Sequence, residues 1–108
     1  MTDDDQLISS VHLDEVETFE VSPGITGRRL AATDLVRGWY YEFEPGTTWP
    51  EVDHHVHEER YFVVSGEIVD NGHRYPAGTY VVLAAGSSHR PGSETGGAML
   101  GLSDARDV

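Results

Sequence analysis

Short apolar runs, separated by turn-forming residues, repeat along most of the chain. From residue 16 onward, runs of β-branched and aromatic residues alternate with Pro-Gly, Asn-Gly and Gly-Ser punctuation. This spacing is typical of a β-sandwich or barrel, and no window holds a 3.6-residue apolar period long enough for a substantial helix. The pattern predicts an all-β fold with strands at residues 16–21, 28–32, 36–44, 60–64, 67–70, 80–84 and 98–102.

The sequence also predicts the turns between these strands and the structure of the N-terminal residues. Turns are expected at residues 22–24, 44–46, 70–72 and 76–78, where glycine accompanies proline or asparagine. Residues 7–16 suit either a helical turn or an edge strand. Residues 1–6 are predicted to form a mobile acidic N-terminus, and residues 7–108 a single domain, because 108 residues suffice for one core but not for two.

Alternation within the strands predicts which side chains lie inside the barrel. Trp39, Tyr41 and Phe43 share one strand face, because successive side chains point to opposite sides. Together with Tyr61 they are the candidates for the lining of a substrate pocket, although ordinary core packing also explains such aromatic residues. Residues 60–64 are apolar on both faces, which predicts that another element or another subunit covers the outer face, and a homodimer formed through that face is the hypothesis.

The charge and composition exclude several functions. The formal net charge is −12, with nineteen acidic residues, seven arginines and no lysine. Neither a nucleic acid nor an anionic membrane is therefore an expected partner, and Schiff-base chemistry is excluded. The absence of cysteine excludes disulfides and thiolate metal sites. The start of the chain lacks the basic and apolar parts of a secretory signal, and no stretch approaches the ~20 apolar residues of a membrane span, so a cytoplasmic protein is expected.

Side chains that bind metals are concentrated in residues 53–59. Imidazole nitrogen and carboxylate oxygen are the ligands that divalent first-row metals accept when no thiolate is available. Residues 53, 55, 57 and 59 project to one face of an extended strand, and one further histidine follows a glycine-containing bend. The candidate ligands for one divalent ion are Asp53, His55, His57, Glu59 and His89.

The residues around His89 resemble the second of two motifs shared by the cupins. That motif reads Gly, five residues, Pro-x-Gly, two residues, His, three residues, Asn. Here Gly78, Gly86, His89 and Ser93 follow the same spacing. Ala84 occupies the proline position of the motif, and Ser93 occupies the asparagine position.

The first cupin motif fits the histidine cluster with one substitution. It reads Gly, five residues, His-x-His, three or four residues, Glu, six residues, Gly. Counting backward from Gly66 places Glu59 and His55 in their positions, whereas Asp53 takes the place of the first histidine and Gly46 lies one position too early. The resemblance implies a jelly-roll barrel of six to eight strands whose mouth holds a metal.

The ligand set that this resemblance implies is His55, Glu59 and His89, with Asp53 in the place of a histidine. Zinc, manganese, iron and nickel all accept two imidazoles and two carboxylates. In an alternative ligand set, His57 supplies an imidazole and either replaces Asp53 or displaces Glu59. His54 is expected to point away, unless a bulge at the doubled histidine reverses its orientation.

Three functions are consistent with these residues. The first is a metal-dependent enzyme of the dioxygenase, isomerase or decarboxylase type, which acts on a small organic molecule in the barrel and in which Glu59 is a metal ligand or a general base. The second is a non-catalytic metal or ligand sensor, because the motifs are similar to those of the cupin domain of zinc-binding anti-sigma factors. The third is a structural cupin that has lost its metal.

Overall fold

A computed structural model describes residues 7–107, which form an all-β barrel and confirm the predicted fold class. A single turn of 3-10 helix, Leu13–Glu15, precedes the strands, so the helical alternative for residues 7–16 is the correct one there. The predicted mobility of residues 1–6 lies outside the described residues. The strands are β1 (Thr18–Ser22), β2 (Ile25–Ala32), β3 (Val36–Phe43), β4 (Thr47–Thr48), β5 (Asp53–His54), β6 (Glu59–Asp70), β7 (His73–Pro76), β8 (Tyr80–Leu83), β9 (Ser88–His89), β10 (Gly92–Ser93) and β11 (Gly97–Asp104).

The long strand β6 joins the two sides of the curled sheet. The strand order is β1-β2-β3-β11-β6-β10-β4, with β7 and β8 also paired to β6, and all pairs are antiparallel. The first half of β6 pairs with β8 and β11, and the second half pairs with β7 and β10. A separate two-stranded ribbon, β5 with β9, lies apart from this sheet.

The sequence predicted two strands, at residues 60–64 and 67–70, but the structure has one continuous strand, β6, with a bulge between them. Ser65 and Val63 pair with consecutive residues of β11, so Val64 is an extra residue on β6. Gly66 follows with φ 62°, and a Cβ there would lie 2.0 Å from the carbonyl oxygen of Gly96. The extra residue shifts the alternation, so that Tyr61 and Val63 before it and Ile68 after it are all buried.

The interior has two parts. The lower part is a packed apolar core, and the upper part carries buried polar side chains, among them His55, Glu59 and His89. The lower part contains Ile25, Phe43, Val63 and Ile68, each at most 3% exposed. Strands β4, β5, β9 and β10 had no counterpart in the sequence-based prediction, because two residues cannot display a period, and the four-residue strand β7 was also missed. None of the helices in the described part of the chain is long and apolar enough to cross a membrane.

Candidate metal centre

Four side chains from three parts of the chain meet in the upper part of the barrel. Asp53, His55, Glu59 and His89 each offer one ligand atom, and these atoms all lie within 4.8 Å of one another. His55 Nε2 lies 3.0 Å from Glu59 Oε2 and 3.5 Å from Asp53 Oδ2. The corresponding distances from His89 Nε2 are 3.6 Å and 3.8 Å. Ligands bound to one ion at about 2.0–2.2 Å are separated by comparable distances.

The β5–β9 ribbon explains how residues far apart in sequence reach one another. Asp53 and His89 are direct partners in its register. The backbone N–H of His55 donates to Ser87, and the carbonyl of His55 accepts from Gly86, so the two segments stay together beyond the ribbon. Glu59 is the first residue of β6 and enters the cluster from the main sheet.

The buried nitrogens at this site fit a metal ion. His55 and His89 are 6% and 3% exposed, and their Nε2 atoms have no hydrogen-bond partner. A buried polar atom without a partner is costly, and each such atom in a folded protein calls for an explanation. Two unpartnered imidazole nitrogens aimed at two carboxylates are a donor set that a divalent cation satisfies.

A buried carboxylate outside the cluster orients His89. Asp70, 3% exposed, places Oδ2 2.7 Å from His89 Nδ1 and accepts a hydrogen bond of 2.7 Å from the Tyr61 hydroxyl. The carboxylate oxygen accepts from Nδ1, so Nε2 is the nitrogen that faces the other ligands. Burial and the neighbouring Asp70 raise the pKa of Tyr61, so its hydroxyl remains a donor.

A second chain of hydrogen bonds orients Glu59. The Trp39 indole N–H donates to Ser103 Oγ over 2.7 Å, and the Ser103 hydroxyl donates to Glu59 Oε1 over 2.6 Å. This contact occupies Oε1 and leaves Oε2 toward the two histidines. The Trp39 ring lies over Gly101, where an added Cβ would approach ring carbons to 2.1 Å. Glycine is therefore required at position 101 for this arrangement.

The cluster creates a negative potential that favours a cation. Burial alone lowers the pKa of His89, but the neighbouring carboxylates of Asp53, Asp70 and Glu59 outweigh burial and raise that pKa to about 11. The nearby His89 imidazole in turn lowers the pKa of Asp53. Both shifts have the same cause, which is that carboxylates and imidazoles lie close enough for their opposite charges to stabilise one another.

The other two histidines of residues 53–59 lie outside the four-residue cluster. His57 Nδ1 is 2.5 Å from Asp107 Oδ1, because the chain bends at residues 56–57 and does not continue as the extended strand that alternation assumed. His54 points away, and its Nδ1 lies 2.6 Å from Ser88 Oγ. The structure thus brings Asp53, rather than His57, to the other candidate ligands.

A cavity of about 510 Å³ opens beside the cluster. Of the four aromatic residues expected to line a pocket, Trp39 and Tyr41 do so, and Trp49 joins them. Phe43 belongs to the packed lower core, and Tyr61, 1% exposed, lies behind His89 with the two rings stacked at 6.3 Å. A volume of this size is in the range of small-molecule pockets.

The residues that orient the ligands were not among the candidates predicted from the sequence. Asp70 was placed at the end of the predicted strand 67–70 and the start of a turn but was given no role, although it follows the buried Ile68 at the two-residue spacing of a strand face. Ser103 follows Met99 and Gly101 at the same spacing. Alternation within residues 67–70 would have marked position 70 as inward-facing, and alternation extended by one residue beyond the predicted strand 98–102 would have marked position 103.

A β-barrel whose mouth gathers histidines and carboxylates from two motifs has the architecture of a cupin. The family model of the ChrR cupin-like domain matches residues 8–103, so the chain belongs to that family. This confirms both the cupin resemblance and the similarity to the anti-sigma-factor cupin domain. No curated protein shows significant similarity to the sequence.

Solved structures show the same fold at low sequence identity. An RmlC-like cupin from Shewanella frigidimarina NCIMB 400 is 20% identical with a TM-score of 0.79, over 87% of each chain. A chain of the Rhodobacter sphaeroides complex of SigE with the anti-sigma ChrR is 20% identical with a TM-score of 0.76, over 86% of this chain and 52% of that one. Salicylate 1,2-dioxygenase from Pseudoaminobacter salicylatoxidans is 21% identical with a TM-score of 0.69, over 80% and 26%.

Proposed function

We propose that the protein is a metal-dependent cupin enzyme that acts on a small organic molecule held in the cavity beside Asp53, His55, Glu59 and His89. The observation that carries this proposal is the pair of buried, unpartnered imidazole nitrogens beside an accessible cavity. A metal that only stabilises a fold is usually enclosed by its ligands, whereas a catalytic metal keeps a position open. Asp53, whose side chain is 44% exposed, lies on the open side.

The chain's own residues hold and orient the reacting groups. His55, His89, Glu59 and Asp53 are the proposed ligands of one divalent ion, which is zinc, manganese, iron or nickel. Such an ion supplies Lewis-acid or oxygen chemistry when bound. Trp39 and Tyr41 provide an apolar wall against which a small substrate packs, and Glu59 has the alternative role of a general base beside the metal. Dioxygenase, isomerase and decarboxylase chemistry are the proposed reaction types.

Elemental analysis combined with an anomalous-scattering crystal structure tests the metal site directly. The expected result is one divalent ion per chain, bound by the four named side chains, with a coordination position that opens into the cavity. An ion enclosed by four protein ligands would reject the catalytic proposal. Purified protein that takes up no divalent metal would reject the metal site itself.

Variants separate the proposed ligands from other histidines. His55→Ala and His89→Ala should each abolish stoichiometric metal, because each removes a buried ligand that nothing nearby replaces. His12→Ala is the matched control, since His12 caps the 3-10 helix far from the cluster in sequence and is exposed. Full metal content in the His89 variant would contradict the proposed site.

A second candidate is a metal or ligand sensor without catalysis. The family match to the ChrR cupin-like domain favours it, as one structural neighbour comes from a complex containing an anti-sigma factor. A sensor would change its affinity for a protein partner when the cavity is filled and would release no product. Product formation from any small organic molecule, dependent on bound metal and lost in His89→Ala, would distinguish the enzyme from the sensor.

A further inference from the structure

The seven arginines of this acidic chain are not used alike. Four of them form ion pairs with carboxylates, and a fifth, Arg90, donates to the carbonyl oxygens of Trp49 and Pro50. The four ion pairs are Arg28 with Glu42, Arg60 with Glu58, Arg74 with Glu67 and Glu94, and Arg106 with Asp104. Arg29 and Arg37 make neither an ion pair nor a hydrogen bond through their side chains with any described residue, although acidic residues outnumber arginines nineteen to seven.

Both of these arginines line the cavity of the metal centre. The Nε of Arg37 is buried and has no partner. The guanidinium carbon of Arg29 lies 4.0 Å from the centre of the Phe19 ring, a cation–π contact that holds the side chain in place and leaves its N–H groups free. Arg29 is exposed and Arg37 is half-buried, and because like charges repel, an anion bound between the two guanidinium groups is favoured.

The strand register places Arg37 level with the metal cluster. Ser103 pairs with Arg37 on one side and with Glu59 on the other, so the three residues form one row across β3, β11 and β6. Two steps between antiparallel strands separate the Cα atoms of Arg37 and Glu59 by about 10 Å. Arg29 pairs with Trp39 in the next row. A small molecule can therefore contact the cluster at one end and the arginines at the other.

We propose, on the basis of the metal site proposed above, that the cavity selects a small organic acid. Its carboxylate group binds between Arg37 and Arg29, and its other end reaches the cluster of Asp53, His55, Glu59 and His89. The planar guanidinium group matches a carboxylate with two parallel hydrogen bonds, which a neutral amide cannot reproduce. Trp39 and Tyr41 pack against the apolar body of the acid.

Charge balance supports an acid over a neutral ligand. The carboxylates of Asp53 and Glu59 together cancel a divalent cation, and the third carboxylate of the cavity wall, Asp107, pairs with His57. The positive charges of Arg29 and Arg37 are therefore left without a carboxylate partner. A carboxylate offsets one of these charges, whereas a neutral molecule offsets neither and displaces the water that solvates them.

Tryptophan fluorescence provides a direct measurement, because the chain has two tryptophans, Trp39 and Trp49, and both line the cavity. Benzoate and benzamide are the probes, since they share a ring and differ in charge. Benzoate should bind about tenfold more tightly than benzamide, the ratio expected for one charge-assisted contact. Arg37→Gln should abolish this preference by weakening benzoate alone. Arg29→Gln should reduce it, and Arg37→Lys should restore part of it.

The matched control is Arg74→Gln, which removes the same charge from an exposed ion pair outside the cavity and should leave both affinities unchanged. The acid site would be overturned if benzoate and benzamide bound equally or if neither bound. It would also be overturned if Arg37→Gln left the benzoate affinity unchanged, because benzoate would then be binding the metal instead. Metal content is measured on every sample. A benzoate preference in protein that takes up no metal would support the acid site and reject the metal-dependent function, whereas bound metal without that preference would do the reverse.

Discussion

At the scale of single residues, the candidate ligands depend on neighbours that never touch the cluster's centre. Asp70 determines which nitrogen of His89 faces the other ligands, and Ser103 determines which oxygen of Glu59 does so. Such outer contacts commonly change metal affinity by 10–100-fold. The ligands alone would not be oriented for a common ion, because each imidazole and carboxylate can rotate about its side-chain bonds.

Asp70→Asn should weaken metal binding without eliminating it. The substitution keeps a side chain that can accept from His89 but removes the charge that makes the imidazole a better ligand, so an affinity loss of about tenfold is expected. Competition with a chelating dye measures the affinity. Asp34→Asn, in the exposed turn between β2 and β3, is the charge-matched control and should have no effect. An unchanged affinity in the Asp70 variant would contradict a positioning role.

At the scale of elements, two irregular segments decide the site. The bulge before Gly66 lets side chains from the first and the second half of β6 both face the interior, so Tyr61 and Asp70 can meet there. The chain leaves the strand conformation after His54 and resumes it at Glu59, which directs His55 inward and His57 toward Asp107. Strand periodicity predicted most of the long strands, but it cannot predict where periodicity is interrupted.

Gly101→Ala should destabilise the barrel and disturb the cluster together. The new Cβ would overlap the Trp39 ring, and moving that ring breaks its hydrogen bond to Ser103. Overpacking of this kind costs about 1–3 kcal/mol, which urea unfolding followed by fluorescence can measure. Gly38→Ala on β3 is the matched control, because its Cβ would come no closer than 3.2 Å to Leu30. Equal stability of the two variants would show that the contact over Gly101 is not restrictive.

At the scale of the whole molecule, the outer face of the main sheet is apolar and exposed. Phe62 pairs with Leu100 on one side and Tyr80 on the other, and their exposed fractions are 42%, 40% and 55%. Val64, Val82 and Leu102, on the same three strands, are also more than 40% exposed. A continuous apolar sheet face is uncommon on a monomer. The homodimer expected from residues 60–64 accordingly stays a prediction, as does the cytoplasmic location.

Light scattering after size exclusion should give the mass of a dimer at micromolar concentration. Phe62→Arg places a charge at the centre of the apolar face and should yield monomers with unchanged metal content. Leu35→Arg adds the same charge at another exposed apolar residue, in the turn before β3, and should leave the dimer intact. A monomeric mass for the unmodified protein would reject dimerisation through this face.

The sequence by itself determined the class of the fold and the residues from which a metal site could be built. Those properties are local, because strand alternation and motif spacing depend on residues close together in the sequence. The alternation and the spacing identified His55, Glu59, His89 and Asp53 as candidates. Only the tertiary structure decided between Asp53 and His57 for a place in the cluster. Only it brought Trp39, Ser103 and Glu59 into one hydrogen-bonded chain, with Ser103 sixty-four and forty-four residues from its two partners. Pairing register makes such contacts, and register depends on bulges, bends and packing that no single segment encodes.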